Sequence, residues 1–294
     1  MRLSTVILPV RRWSEGGRDR WQRAEQLGFH TAYTYDHLTW RPPFRDGPWF
    51  GALPTLTAAA TATTRIRLGT MVTSPNFRHP VPLAKELLTL DDISEGRLTL
   101  GIGAGGSGFD ATALGHAAWS TRERADRFGE FVPLLDRLLT EQEVSHDGTH
   151  YSAHEARSLP GCVQRPRIPF AVAATGPRGM RLAARHGQAW VTTGDPEGNA
   201  SGSPARSHEA LARQIDRLEK TCADAGRDPS DLHRVLLTGF TPDRPLDSVE
   251  AFADFTGRHA ELGFDELVLH WPLPDTPFES DPTVFEHAVT SQLP

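Results

Sequence analysis

Residues 65–106 read RIRLGTMVTSPNFRHPVPLAKELLTLDDISEGRLTLGIGAGG. Ile66 to Thr70 is a short apolar run of the kind that forms a buried strand. A turn ending in proline follows. Leu83, Leu87 and Leu90 then mark one face of a helix, and Gly96 stands where a helix stop belongs. Arg97 to Gly101 is strand-like again. Strand, helix and strand in this order form a crossover unit, which pairs its strands in parallel beneath the helix.

The same rhythm extends in both directions. Upstream lie a strand over Leu3 to Pro9, a helix over Arg18 to Leu27 stopped by Gly28, a strand over Thr31 to Tyr35 and a helix from Trp49 to Thr64. Downstream, Phe128, Phe131, Val132, Leu135 and Leu138 stripe a helix. Asp147-Gly148 then marks a hairpin turn inside an excursion over 144–164. Strands follow at Pro169 to Ala174, Gln188 to Thr192, Leu232 to Thr238 and Glu266 to His270. Between and after them come helices over Met180 to His186, Leu211 to Cys222, Val249 to Ala260 and Pro282 to Val289. The polar stretch Gly194 to Pro204 reads as a mobile loop. About eight strands alternating with helices in 294 residues predict a single-domain (β/α)8 barrel with an insertion before its fifth strand. The irregular stretches 36–48, 71–79, 102–119 and 193–205 all follow strands, so they gather at the carboxyl end of the barrel, where such folds place active sites.

Composition excludes several functions. Acidic and basic residues are mixed along a chain of net charge −6, with no basic run to follow a phosphate backbone, so nucleic acid is not an expected partner. The apolar run at the start is too short for a signal peptide, and nothing later approaches a membrane span, so the reading is cytoplasmic. Cys162 and Cys222 lack the spacing of a zinc or redox motif and read as idle buried thiols. No metal is expected. His150 and His154 lie in the hairpin excursion, and no H-x-H follows the first strand as metal-dependent barrel hydrolases require. A G-x-S-x-G elbow is also missing.

Four strand ends carry candidate chemistry. After the second strand, Asp36, His37 and Trp40 offer a carboxylate, an imidazole and a flat indole on one loop, although Asp36 could equally cap a turn. After the third, Met71, Val72 and Thr73 run into a turn that either lines a ligand ring or closes the barrel rim, and beyond it Arg78 and His79 either reach an anion or are plain surface groups. After the fourth, Gly101-Ile102-Gly103-Ala104-Gly105-Gly106 formally matches G-x-G-x-x-G. No periodic helix opens until Arg122, however, so the reading is a flexible or closely approached backbone beside a large ligand. After the fifth, Thr175, Gly176, Pro177, Arg178 and Gly179 lead straight into a helix, which makes an anion site or a plain Gly-Pro helix start. Trp40, Pro42, Pro43, Phe44, Trp49 and Phe50 would supply either a hydrophobic ligand surface or a dimer interface.

Taken in order, TAYTYDHLTW at 31–40, the stretch at 65–106, AATGPRGMRLAARHGQAW at 173–190 and GFDELVLH at 263–270 resemble the luciferase-like monooxygenase family over nearly the whole chain. The resemblance implies an isoalloxazine or deazaflavin ring in the barrel mouth and a non-proline cis peptide at Met71-Val72 behind it. It also implies a phosphate site at Thr175, Gly176, Arg178 and Gly179, and an Asp36-His37 pair near the ring with Trp40 close by. The pair and the GTMVTSP run look closer to the branch that uses coenzyme F420. That branch implies hydride transfer to or from a small organic substrate, with His37 protonating the substrate or stabilising charge, and a homodimer. An FMN-dependent monooxygenase is the alternative, and a non-catalytic flavin-binding barrel the second. Two positions depart from the family. Gly106 stands where the sugar-phosphate dehydrogenases of the F420 branch carry a glutamate, and Gln188 where relatives often carry aspartate.

Overall fold

The computed structural model describes residues 1–106 and 109–292. Its barrel strands are β1 (Arg2–Val6), β2 (Thr31–Thr34), β3 (Arg67–Thr70), β4 (Leu98–Gly103), β7 (Phe170–Ala173), β8 (Ala189–Thr192), β9 (His233–Leu237) and β10 (Glu266–His270). They close in the order β1-β10-β9-β8-β7-β4-β3-β2, and every pairing is parallel. Between β4 and β7 the chain leaves the barrel as an antiparallel hairpin, β5 (Glu143–Asp147) with β6 (Ser152–Arg157), at the place where the Asp147-Gly148 turn predicts one.

The strands are apolar without alternation because both of their faces are covered. Val6, Tyr33, Tyr35, Met71, Val191, Val235 and Val268 pack together inside the barrel. Ala32, Leu68, Leu100, Val172, Trp190, Leu236 and Leu267 face the opposite way, into the layer of helices. That layer includes α1 (Arg18–Gln26), α2 (Ala52–Ala62), α3 (Pro80–Ile93), α5 (Thr121–Thr140), α6 (Pro177–His186), α8 (Pro204–Asp224), α9 (Val249–Glu261) and α10 (Pro282–Gln292). Cys162 and Cys222 are free thiols buried in the same layer.

Two short α-helices escape the sequence reading. α4 (Phe109–Ala113) lies within the stretch read as free of helix, and α7 (Pro196–Ala200) within the stretch read as a mobile loop. Neither is long enough to show an apolar stripe. α7 is held at its start by Asp195, whose Oδ1 accepts the Glu197 and Gly198 N–H groups at 3.1 Å.

Gly101 is a strict requirement of the β3–β4 packing. A Cβ at this position would stand 2.0 Å from the Thr70 carbonyl oxygen, and that backbone has no room to retreat. Gly101→Ala is expected to destabilise by the upper end of the about 1–3 kcal/mol typical of overpacking. Urea unfolding of the purified variant reads this directly, and an unchanged midpoint at unchanged slope would contradict the packing described.

Candidate active site

The carboxyl ends of the strands open into a cavity of about 850 Å³, within the range of small-molecule and cofactor sites. Of the positions singled out in the sequence, His37, Trp40, Met71, Val72, Gly105, Gly106 and Thr175 to Gly179 line it. They come from four separate loops, so the barrel brings together what the sequence holds far apart.

His37 sits at one end. Its Nδ1–H donates to Asp110 Oδ2 at 2.8 Å, and Asp110 Oδ1 accepts the Leu38 N–H at 2.7 Å. Asp110 is carried on α4 and is 2% exposed. One carboxylate therefore fixes both the ring and the backbone of the loop. Trp40 lies parallel to the His37 ring at 6.2 Å, and Trp49 Nε1–H donates to the His37 carbonyl at 2.9 Å. Since a carboxylate only accepts, Nδ1 carries the proton in the neutral ring, and Nε2 is the nitrogen left to address a ligand.

Asp36, expected as a catalytic and cofactor-binding group, and Thr73, expected as a cofactor-binding group, are not among the residues that line the cavity. Asp36, 1% exposed, accepts from Thr73 Oγ1–H at 2.8 Å and from Arg78 Nη2–H and Nε–H at 2.8 and 3.1 Å. The strand alternation explains why: Tyr33 and Tyr35 face the barrel interior, so Asp36 turns to the other side. Asp36 thus ties the β2 loop to the β3 loop. Nor is Arg78 free for an anion, because it binds Asp36 and Glu86. His79 caps α3, its Nδ1 accepting the Val81 N–H at 3.2 Å, and burial pushes its pKa down in keeping with an accepting ring.

The middle of the cavity is apolar, with Met71, Val72, Ala173, Val191, Leu237 and Phe240 around it. The Met71-Val72 peptide is cis. Tyr35 joins this wall, and its hydroxyl lies 2.8 Å from Nε2 of His270, whose ring stacks on Phe278 at 3.7 Å. Burial pushes the His270 imidazole down to about 3, so it stays neutral at ordinary pH.

The far end is cationic. Gly176 caps α6 and Pro177 begins it, leaving the first N–H groups directed to the cavity end. Met180, Ala183 and Ala184 face the core, which puts Arg178, Arg181 and Arg185 on the cavity side of the same helix. Arg124 of α5 joins them, while Arg178 pairs with Asp126. A Cβ at Gly176 or Gly106 would meet nothing within 4 Å, so both positions leave open space in the cavity. Gln188 is structural: its Oε1 accepts the Phe170 N–H at 2.8 Å and Arg167 Nη1–H at 3.1 Å.

Sequence reading alone missed Asp110, Tyr35, Arg124, Arg181 and Arg185. Arg181 and Arg185 had a signal in the helical spacing that follows Arg178. Asp110 had none, since its partner is 73 residues away across an irregular loop.

The fold is a closed parallel barrel with a cavity at its carboxyl end. Residues 15–264 match the luciferase-like monooxygenase family, and the chain belongs to that family. An F420-dependent glucose-6-phosphate dehydrogenase of Beutenbergia cavernae is 41% identical over 227 residues, covering 75% of this chain and 62% of that protein. The match thus spans under two thirds of that relative's length. A 4-hydroxyprotoasukamycin monooxygenase of Streptomyces nodosus subsp. asukaensis is 31% identical over 273 residues, covering 89% of this chain and 68% of that protein. An F420-dependent secondary alcohol dehydrogenase, solved with an F420-acetone adduct, shares the fold with a TM-score of 0.79 over 98% of both chains, at 20% identity.

Proposed function

We propose that this protein is an F420-dependent oxidoreductase that moves hydride between the cofactor and a small organic substrate. The observation that carries the reading is the division of a single cavity into an apolar bed, a histidine–carboxylate end and a cationic helix end. The family and its F420-dependent relative support it.

The residues present suit such a cofactor. Met71, Val72, Ala173 and Val191 offer a flat apolar wall for a fused ring. Thr175 to Gly179 and the arginines of α6 suit the phosphate group, through N–H donors and positive charge together. When bound, the deazaflavin supplies a ring carbon that accepts or donates hydride and reacts poorly with oxygen. The protein then has three tasks. His37 Nε2 gives or takes the proton at the substrate oxygen, which balances the charge that develops there. Asp110 holds the ring in the tautomer that leaves Nε2 facing the ligand. Trp40, Tyr35 and Phe240 cover the site with apolar surface and keep water away. Substrate is therefore expected to be a small molecule with an oxygen at the reacting carbon or conjugated to it. A homodimer belongs to the same proposal.

An FMN-dependent monooxygenase is the second reading, favoured by the monooxygenase relative. Oxygen separates the two. The protein should be incubated with oxidised F420 and panels of secondary alcohols and sugar phosphates, and with reduced F420 and unsaturated ketones, in air and under nitrogen. The expected result is turnover, read from the cofactor's absorbance, at the same rate in both atmospheres. Turnover seen only with reduced FMN and oxygen would establish the monooxygenase reading instead.

A further inference from the structure

A second cavity, of about 570 Å³, lies between the loop that follows β1 and the first turns of α1 and α2, and shares no lining residue with the first. Trp13, Trp21 and Phe50 give it aromatic walls, and Arg11, Arg12 and Arg20 give it charge. No acidic residue lines it. Arg12 reaches Glu15 only at 3.9 Å, with both side chains about 70% exposed. Arg20 is half-buried, and among the described residues it has neither a hydrogen bond nor an ion pair. Its guanidinium is pushed down to about 10 by burial and by the like charge of Arg11.

That arrangement is unfavourable as it stands. Half-buried guanidinium groups ordinarily find a carboxylate or carbonyl partner, because desolvation costs more than unpaired charge returns. With the exposed Arg11 and Arg12 lining the same concave, partly apolar wall, Arg20 also raises the local potential for an anion. An oxyanion placed among them would recover the missing pairing, and an arginine fork binds carboxylate or phosphate in two places at once. The indole and phenyl walls provide for the remainder of such a molecule. The volume falls within the about 300–1,000 Å³ usual for small-molecule sites.

We propose that this cavity binds a small organic anion, a carboxylate or phosphate carried on an aromatic or apolar body, at a site separate from the active cavity. The site adjoins the His37 loop: the Phe50 N–H donates to the Pro9 carbonyl at 2.8 Å, and the neighbouring Trp49 is the residue that braces the His37 carbonyl.

The test is calorimetric titration of the full-length protein with phenyl phosphate, benzoate and inorganic phosphate. The variants are Arg20→Met, which removes the unpaired charge, and Ala58→Phe, which fills the cavity from α2. Arg185→Met, in the first cavity, reports occupancy there, and a thermal melt checks that each variant is folded. The expected result is saturable binding of phenyl phosphate or benzoate that weakens by about 10–100-fold in Arg20→Met and Ala58→Phe and is unchanged in Arg185→Met. Whichever of the two aromatic ligands binds more tightly identifies the anion. Binding lost in Arg185→Met but kept in the other two would place the ligand in the first cavity and overturn the proposal. So would inorganic phosphate binding as tightly as phenyl phosphate, an absence of saturable binding, or conversion of a dimer to monomer by Ala58→Phe, which would make the cavity an interface between copies.

Discussion

Replacing His37 with alanine is expected to lower kcat by about 10²–10⁴-fold, the range over which a positioned acid or base contributes, while F420 affinity changes little. The expectation rests on geometry. The ring is held on one side by Asp110 and flanked by Trp40 and Trp49, so it is fixed before any ligand arrives. No part of that framework belongs to the cationic end where the cofactor's phosphate is proposed to sit. The loss should therefore appear in turnover and leave the binding isotherm alone. Asp110→Asn should move turnover in the same direction by a smaller factor, because the ring keeps its stacking but loses the carboxylate that fixes its tautomer. The measurement is steady-state kinetics with any substrate that the anaerobic panel identifies. If His37→Ala retains the wild-type rate, the proton-transfer role is wrong.

Asp36→Ala carries the second large effect, and it is an effect on stability. The Asp36 carboxylate is buried with Arg78 on one side and Thr73 on the other. Removing it leaves the Arg78 side chain, 18% exposed, without its inner partner. Breaking a buried pair in this way costs about 3–5 kcal/mol, and the lower end is expected because Glu86 still reaches Arg78. Arg78→Met alone should also destabilise, whereas the double variant should lose less than the sum of the two, as contacting residues do. Urea unfolding of the three variants gives the cycle. A loss below about 1 kcal/mol in Asp36→Ala, the range of exposed pairs, would mean that the pair is solvated and that Asp36 does not tie the loops together.

These two neighbours show what the sequence could and could not convey. Asp36 and His37 are adjacent and polar, and composition alone treats them alike. The barrel separates them, turning His37 into the cavity and Asp36 behind it. The period of two along Tyr33, Thr34 and Tyr35 carries that information, but only once the inner face of the strand is known. The fold was more legible. Eight strands buried on both faces give apolar runs, and helices such as α5 and α8 repeat their buried residues at helical spacing, as in Leu211, Ile215, Leu218 and Cys222. The helices that were missed, α4 and α7, are five residues long, too short to leave a periodic trace. Asp110 rides on one of them. Its role depends on two loops meeting in space, and nothing in local spacing records that.

Binding of the cofactor is the most direct test of the account as a whole. The purified protein should be titrated with oxidised F420 and separately with FMN, following the fluorescence of each. Saturable binding of F420 is expected, clearly tighter than that of FMN and weakened when Arg178 or Arg181 at the cationic end is replaced by alanine. Tighter binding of FMN, or binding of neither, would contradict it.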